Sequence, residues 1–354
     1  MKALAFFPVL LALGLQGCLA PQTQRLKPDA EQLEQEKQKQ LELALQHRTS
    51  QQQRLADTSF PLLQAASVLC PDQQKAATGL LLTTSDSYSE QFRPVAKRLY
   101  GVDDGLHVLH VVPNSPAALA SIQPGDVIHT INDKTLSNSK AGISELLELI
   151  RQADIAQFDF EIQRNDESLQ IRLHSTTICR YPVTLSESDA INAYADGSSI
   201  SITKGMLRFT NDQELAQIVA HEIAHNVMRH FRDRTINLLG GLLVDVAVAT
   251  TGAPITGVFG ALGASAYMKQ YESEADYVGL YIMARAGLEI DHAENFWRRM
   301  ASEHPEGITG DGLSPTHPTT PSRFLAIRQT IEQIKSKQAA GKKLLPDMQQ
   351  PIRQ

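Results

Sequence analysis

Residues 221–225 read His-Glu-Ile-Ala-His, and Glu272-Ser273-Glu274-Ala275-Asp276 begins 47 positions beyond His225. On a helix, positions i and i+4 share one face a turn apart. His221 and His225 can therefore aim two imidazoles at one metal ion. Glu222 sits about 100° around the helix from His221, near such an ion but outside its ligand set. A third, anionic ligand must come from elsewhere, and a Glu on a second helix is the usual donor. Glu272 fits. Asp276 lies one turn further on the same face and can accept the hydrogen bond that orients a ligand imidazole. Three protein ligands leave one zinc position open for water, which marks a catalytic rather than a structural site.

The surroundings of the first motif are helical. Asn211 or Thr210 can cap the start, with Asp212 and Glu214 in the first turn. Leu215, Ile218, Val219, Ile223, Val227, Met228 and Phe231 recur at helical spacing and predict a buried face. The His-Glu-x-x-His motif thus sits mid-helix, where the chemistry requires it.

The order His-Glu-Ile-Ala-His, Asn226-Val227-Met228-Arg229-His230, Glu-x-x-Ala-Asp, then Thr316-His317-Pro318 with Arg323, resembles the gluzincin peptidases of the HtpX and CaaX prenyl-protease type. The likeness runs over roughly residues 180–335. It implies His221, His225 and Glu272 as ligands of one Zn2+ per chain and Glu222 as the catalytic base. It implies that Asn192–Thr203 is the strand before the motif helix, along whose edge substrate lies. It also implies His317 as a reversible fourth ligand, because in soluble relatives the histidine of the matching His-Pro motif can occupy the metal. Asp276, His230 and Arg323 are expected behind the ligands. The oxyanion donor stays open between Arg323, His230 and a tyrosine.

The chain has 354 residues, room for two domains and a tail. A net charge of −6 argues against nucleic acid as a partner. Met1-Lys2 followed by the apolar run Ala3–Leu15 reads as a signal peptide over 1–17. Leu15-Gln16-Gly17-Cys18 resembles a bacterial lipobox, which implies a lipid on Cys18. Leu19 at the next position favours an outer-membrane lipoprotein facing the periplasm. With Cys18 acylated, Cys70 and Cys179 remain of three cysteines, in a compartment where disulfides persist.

Residues 18–58 are Gln-, Glu- and Lys-rich and read as a polar helical tether, or equally as a linker. Residues 76–175 resemble a PDZ domain: Gly79-Leu80-Leu81-Leu82 matches its carboxylate-binding loop and strand. Asn114-Ser115-Pro116 and Gln123-Pro124-Gly125-Asp126 follow in the order found in bacterial proteases. A compact PDZ fold keeps its termini close, so Cys70 and Cys179, just outside it, are expected to pair. Residues 59–75 and 176–336 are left for the metallopeptidase domain and 337–354 for a disordered tail. The uncharged stretch 246–268 is split by Thr251-Gly252-Ala253-Pro254, which predicts two short helices rather than a membrane span.

The fold expected is α+β: a mainly helical zincin-type domain with a small edge-strand sheet and an inserted β-rich PDZ-like domain. The function expected is a zinc endopeptidase of the periplasm. Its partners would be misfolded or unassembled envelope polypeptides, a peptide C-terminus in the PDZ-like groove, and the membrane through the lipid. The rival is a non-proteolytic, zinc-containing chaperone that holds unfolded outer-membrane proteins.

Overall fold

The computed structural model describes residues 23, 27–152, 157–249, 268–303 and 321–349. The leader, Cys18, residues 250–267 and His317 lie outside the described residues.

Helix α1 (Ala30–Ala65) starts at an Asp29 capping box with Gln32. The expected tether is only its first part. From Leu45 onward, one side is buried through Thr49, Gln51, Leu55, Leu62 and Leu63. Leu45 packs with Val95, Ala96 and Val102, while Leu55 and Leu62 enter the main core. Arg54 locks the helix down by donating to Asp212 (2.7 Å) and to the Thr210 carbonyl (2.7 Å). Irregularly spaced leucines in a polar stretch hid this buried face.

Strand β1 (Gln74–Ala77) leads into a unit built from β2 (Leu80–Thr83), α2 (Arg93–Tyr100), β3 (Leu106–Val111), α3 (Pro116–Leu119), β4 (Val127–Ile131), β5 (Lys134–Thr135), α4 (Lys140–Gln152), β6 (Gln157–Arg164) and β7 (Glu167–His174). The sheet order is β2-β3-β4-β6-β7, with β5 paired to β4. Leu106, Leu146, Phe158, Phe160, Ile162 and Leu173 fill its own core. Gly125, at φ 95°, makes the turn before β4 that favours glycine. The next residue, Asp126, is buried and gripped by Arg164 at 2.7 Å.

The chain leaves this unit through β8 (Thr176–Cys179), antiparallel to β1, with Gln74 opposite Cys179 and Ala77 opposite Thr176. Cys70 and Cys179 are joined by a disulfide across the base of the unit, Cα atoms 5.9 Å apart.

The remainder is mainly helical. A three-stranded sheet runs β10 (Ala193–Ala195), β11 (Ile200–Thr203), β9 (Val183–Ser186), with β11 parallel to β9 and β10 on an edge. Residues 192–203 are therefore a hairpin, not one strand. Asp196 accepts from the Ser198 and Ser199 amides, and Gly197 takes φ 87°, which turns the chain back. Then follow α5 (Lys204–Phe209), α6 (Asp212–Val227), α7 (His230–Ala249), α8 (Met268–Arg285), α9 (Glu294–Glu303) and α10 (Pro321–Ala339). Asn211 caps α6 in a capping box with Glu214. Helix α6 is buried on almost every side, including Leu215, Ile218, Val219 and Ile223. Among the described residues no helix is long and apolar enough to cross a membrane.

Two further expectations change. Phe231 is 52% exposed rather than core. Arg229 at φ 60° ends one helix and starts the next in a new direction. The expected tail is not loose up to residue 349: Leu344 and Leu345 pack on the core, and the Asp347 amide donates to the Tyr277 hydroxyl at 2.9 Å.

Candidate active site

Helices α6 and α8 cross closely enough that a Cβ on Gly279 would lie 3.2 Å from the Ala220 carbonyl carbon and the His221 nitrogen. That approach brings the motif residues of the two helices together. His221 Nε2 and His225 Nε2 are 3.0 Å apart. Glu272 places Oε2 3.3 Å from His221 Nε2 and Oε1 3.3 Å from His225 Nε2. The three side chains offer donor atoms all within 4.8 Å of one another.

These donors fit a metal. Zinc with tetrahedral ligands at about 2.0–2.2 Å needs ligand atoms roughly 3.3 Å apart. Two imidazole nitrogens and a carboxylate, two of them buried, are a donor set that zinc prefers. His221 Nδ1 lies 3.0 Å from Asp276 Oδ1, which fixes the proton on Nδ1 and turns Nε2 toward Glu272. Burial opposes a charged His221, but the Asp276 and Glu272 carboxylates outweigh it and lift its pKa to about 9. Glu272 thus faces the spot where a cation would sit, and Asp276 backs the His221 ring from its other side.

Arg323, buried at the start of α10, holds Asp276 with two nitrogens, Nε on Oδ2 and Nη2 on Oδ1 at 2.9 Å. Its Nη1 is 3.4 Å from Glu272 Oε2. Burial raises the Asp276 carboxyl, yet Arg323 and His221 together hold it below the usual carboxylate range. The Arg323 guanidinium is stacked 3.7 Å from the Trp297 ring centroid, and Trp297 meets His221 edge-on. Arg323 thus binds Asp276 behind His221 and touches the ligand Glu272.

The cleft is open to solvent, spans about 620 Å³ and is lined by Glu222, His225, His230, Glu272, Tyr194, Phe231 and Tyr271 among others. Glu222 is 2% exposed as a residue but reaches this space. Edge strand β10 supplies Tyr194 and Ala195, so an extended chain laid on that edge would pass Glu222. His230 is buried, with Nδ1 2.8 Å from His225 Nδ1 and Nε2 2.8 Å from Glu274 Oε2. Glu274, Tyr271, Trp297 and Asn226 escaped sequence reasoning. Only Glu274, inside the second motif, carried a usable signal.

Residues 162–331 match the model of peptidase family M48, and residues 107–164 match a PDZ domain. The chain is 28% identical over 169 residues to the beta-barrel assembly-enhancing protease of Yersinia pestis, covering 43% of this chain and 34% of that one. The protein of that name from Escherichia coli strain K12 is 26% identical over 167 residues, with the same coverage. The mitochondrial metalloendopeptidase OMA1 of Saccharomyces cerevisiae is 34% identical over 125 residues, 32% of this chain and 35% of that one. The chain spans about a third of the length of these curated relatives. A crystal structure of the HtrA3 PDZ domain with a phage-derived ligand aligns at 25% identity and TM-score 0.24, over 30% of this chain and 89% of that one. With the His221, His225 and Glu272 donors set in the matched region, residues 162–331 are similar to peptidase family M48, and residues 107–164 to a PDZ domain.

Proposed function

We propose that the chain is a zinc-dependent endopeptidase of the bacterial periplasm, anchored to the outer membrane through Cys18. Its substrates would be misfolded or unassembled envelope proteins, with the PDZ domain serving recognition or regulation. The observation that carries the proposal is the placing of Glu222 at the head of a cleft beside three converging metal donors and an edge strand. The relatives named as proteases, two of them for β-barrel assembly, support the substrate class. A disulfide at Cys70–Cys179 suits an oxidising compartment.

His221, His225 and Glu272 would hold the zinc. When bound, zinc polarises a water and the scissile carbonyl. Substrate lies extended along β10, pairing with its outer edge. Glu222 takes a proton from the attacking water and returns it to the leaving amine. Asp276 keeps the His221 proton on Nδ1, and Arg323 keeps Asp276 ionised.

The test incubates the zinc-loaded full chain in detergent with an unfolded β-barrel protein, beside its Glu222→Gln variant. Fragments from the wild type and a rate lower by roughly 10²–10⁴-fold in the variant are expected, with equal zinc in both. Binding without fragments in either protein would replace peptidase with the holding function.

A further inference from the structure

We infer that Glu274 is a positioning residue for the metal site: acting through His230, it sets the tautomer and direction of His225. The inference rests on the metal-binding reading of His221, His225 and Glu272. Its basis is a chain of three groups, Glu274, His230 and His225, joined by two contacts of 2.8 Å.

His225 can present Nε2 to a metal only if its ring proton sits on Nδ1. That Nδ1 lies 2.8 Å from His230 Nδ1. Two imidazole nitrogens at this distance share one proton, so one of them must accept. If His225 donates, His230 Nδ1 accepts and its own proton belongs on Nε2. His230 Nε2 lies 2.8 Å from Glu274 Oε2, and an ionised carboxylate can only accept. With both rings neutral, one assignment satisfies every group: Glu274 accepts from His230 Nε2, and His230 Nδ1 accepts from His225 Nδ1. His225 Nε2 is left as a lone-pair donor toward Glu272 and His221. The reverse assignment would put a proton on His225 Nε2, 3.0 Å from His221 Nε2 and 3.3 Å from Glu272.

The backbone is shaped for this contact. In an unbroken helix, five residues separate two side chains by about 140°. His230 could not then return to His225. The left-handed Arg229 (φ 60°) ends α6 and redirects the chain, which brings the ring back. Tyr271, one residue before the ligand Glu272, stacks on His230 with centroids 4.7 Å apart and planes 26° apart. His230 is 4% exposed, whereas the Glu274 side chain is 44% exposed at the surface of α8. The two ligand histidines are thus oriented differently. His221 leans directly on buried Asp276, and His225 is held through a buried imidazole by a surface carboxylate.

The test compares the full chain with Glu274→Ala, Glu274→Gln and His230→Phe. Zinc affinity is read by competition with a chromophoric chelator, and geometry by the visible spectrum of the cobalt-substituted protein. Glu274→Ala and His230→Phe should weaken zinc binding by roughly 10–100-fold and shift the cobalt bands. Glu274→Gln, whose amide oxygen still accepts from His230, should stay within about 3-fold of wild type. The half-exposed Glu274 tolerates both changes, and circular dichroism checks the fold. Long-range ¹H–¹⁵N spectra of the metal-free wild type should show His225 protonated on Nδ1. Wild type that binds no zinc would overturn the metal reading itself. Wild type that binds zinc, with both disruptive variants matching its affinity and cobalt spectrum, would overturn the relay alone. A His225 protonated on Nε2 would also overturn it.

Discussion

Asn226 holds Gly197: its carboxamide oxygen accepts from the Gly197 amide at 2.7 Å, while its nitrogen donates to the Ser199 carbonyl at 3.0 Å. Asn226 directly follows His225, and Gly197 lies in the turn between β10 and β11. One side chain thus ties the metal-donor helix to the hairpin whose edge faces the cleft. The distance from Glu222 to a chain lying on β10 is set by this clasp rather than by the loose fit of a loop.

Asn226→Ala should therefore act on substrate placement more than on chemistry. Two hydrogen bonds are lost, but the turn is exposed and water can replace part of them. Each such bond is worth about 0.5–1.5 kcal/mol. KM for a peptide should rise by about 2–10-fold with kcat changed less, as expected when positioning is what is lost. A variant with unchanged KM and a large fall in kcat would show that Asn226 acts on the reacting atoms instead.

The same turn carries a pH dependence. Partial burial raises the Asp196 carboxyl, but hydrogen bonds from Ser199 and Ser198 outweigh it and bring its pKa to about 2, against an ordinary 3.8. A pKa depressed by folding stabilises at pH above the unfolded value. The turn should thus be firm above about pH 4 and loosen as pH falls through 2. Carboxyl-carbon NMR should place the Asp196 midpoint well under 3.8. Asp196→Asn should remove the acid-dependent part of the turn's amide shifts. A midpoint at or above the ordinary value would refute the hydrogen-bonded arrangement.

Cys70 and Cys179 close a loop 109 residues apart in sequence, around the whole PDZ unit. Removing such a bond from Cys70→Ala/Cys179→Ala protein should cost about 2–4 kcal/mol, chiefly by freeing the unfolded chain. Protein purified without reductant should show no reactive thiol at either cysteine after denaturation. Two titratable thiols there would show that the disulfide does not form.

Much of the site is legible in the sequence because helical spacing is rigid. Positions 221 and 225, or 272 and 276, must share a face whatever surrounds them. What is not legible depends on breaks in that regularity. The Glu274–His230–His225 contact requires the left-handed Arg229, and nothing in Met228-Arg229-His230 announces it. The 192–203 hairpin had a turn signal in Asp196-Gly197-Ser198, which the single strand implied by the family resemblance left out. The fold of α1 failed to show for another reason. Averaged over the stretch its composition is polar, while burial is decided by the few leucines on one side. Tertiary partners, not local preference, place them.

Charge balance argues for the last prediction. Glu222, Glu272 and Asp276 are all at most 7% exposed, and Arg323 is the buried guanidinium set among them. With His221 neutral, as a metal ligand must be, three carboxylates against one guanidinium leave two negative charges, which one divalent cation would cancel. Chelation should therefore lower the unfolding temperature. Arg323→Met should destabilise the zinc-loaded protein by about 3–5 kcal/mol, because it strands Asp276 in the interior. Arg323→Lys should recover only part of this, since an ammonium cannot reproduce the two-nitrogen grip on Asp276. The fall in unfolding temperature on chelation should be larger in Arg323→Met than in wild type, as the carboxylates then lose both cations. Thermal unfolding of each protein with and without chelator measures this difference. Equal falls in the two proteins would mean that metal and Arg323 do not share the same carboxylates.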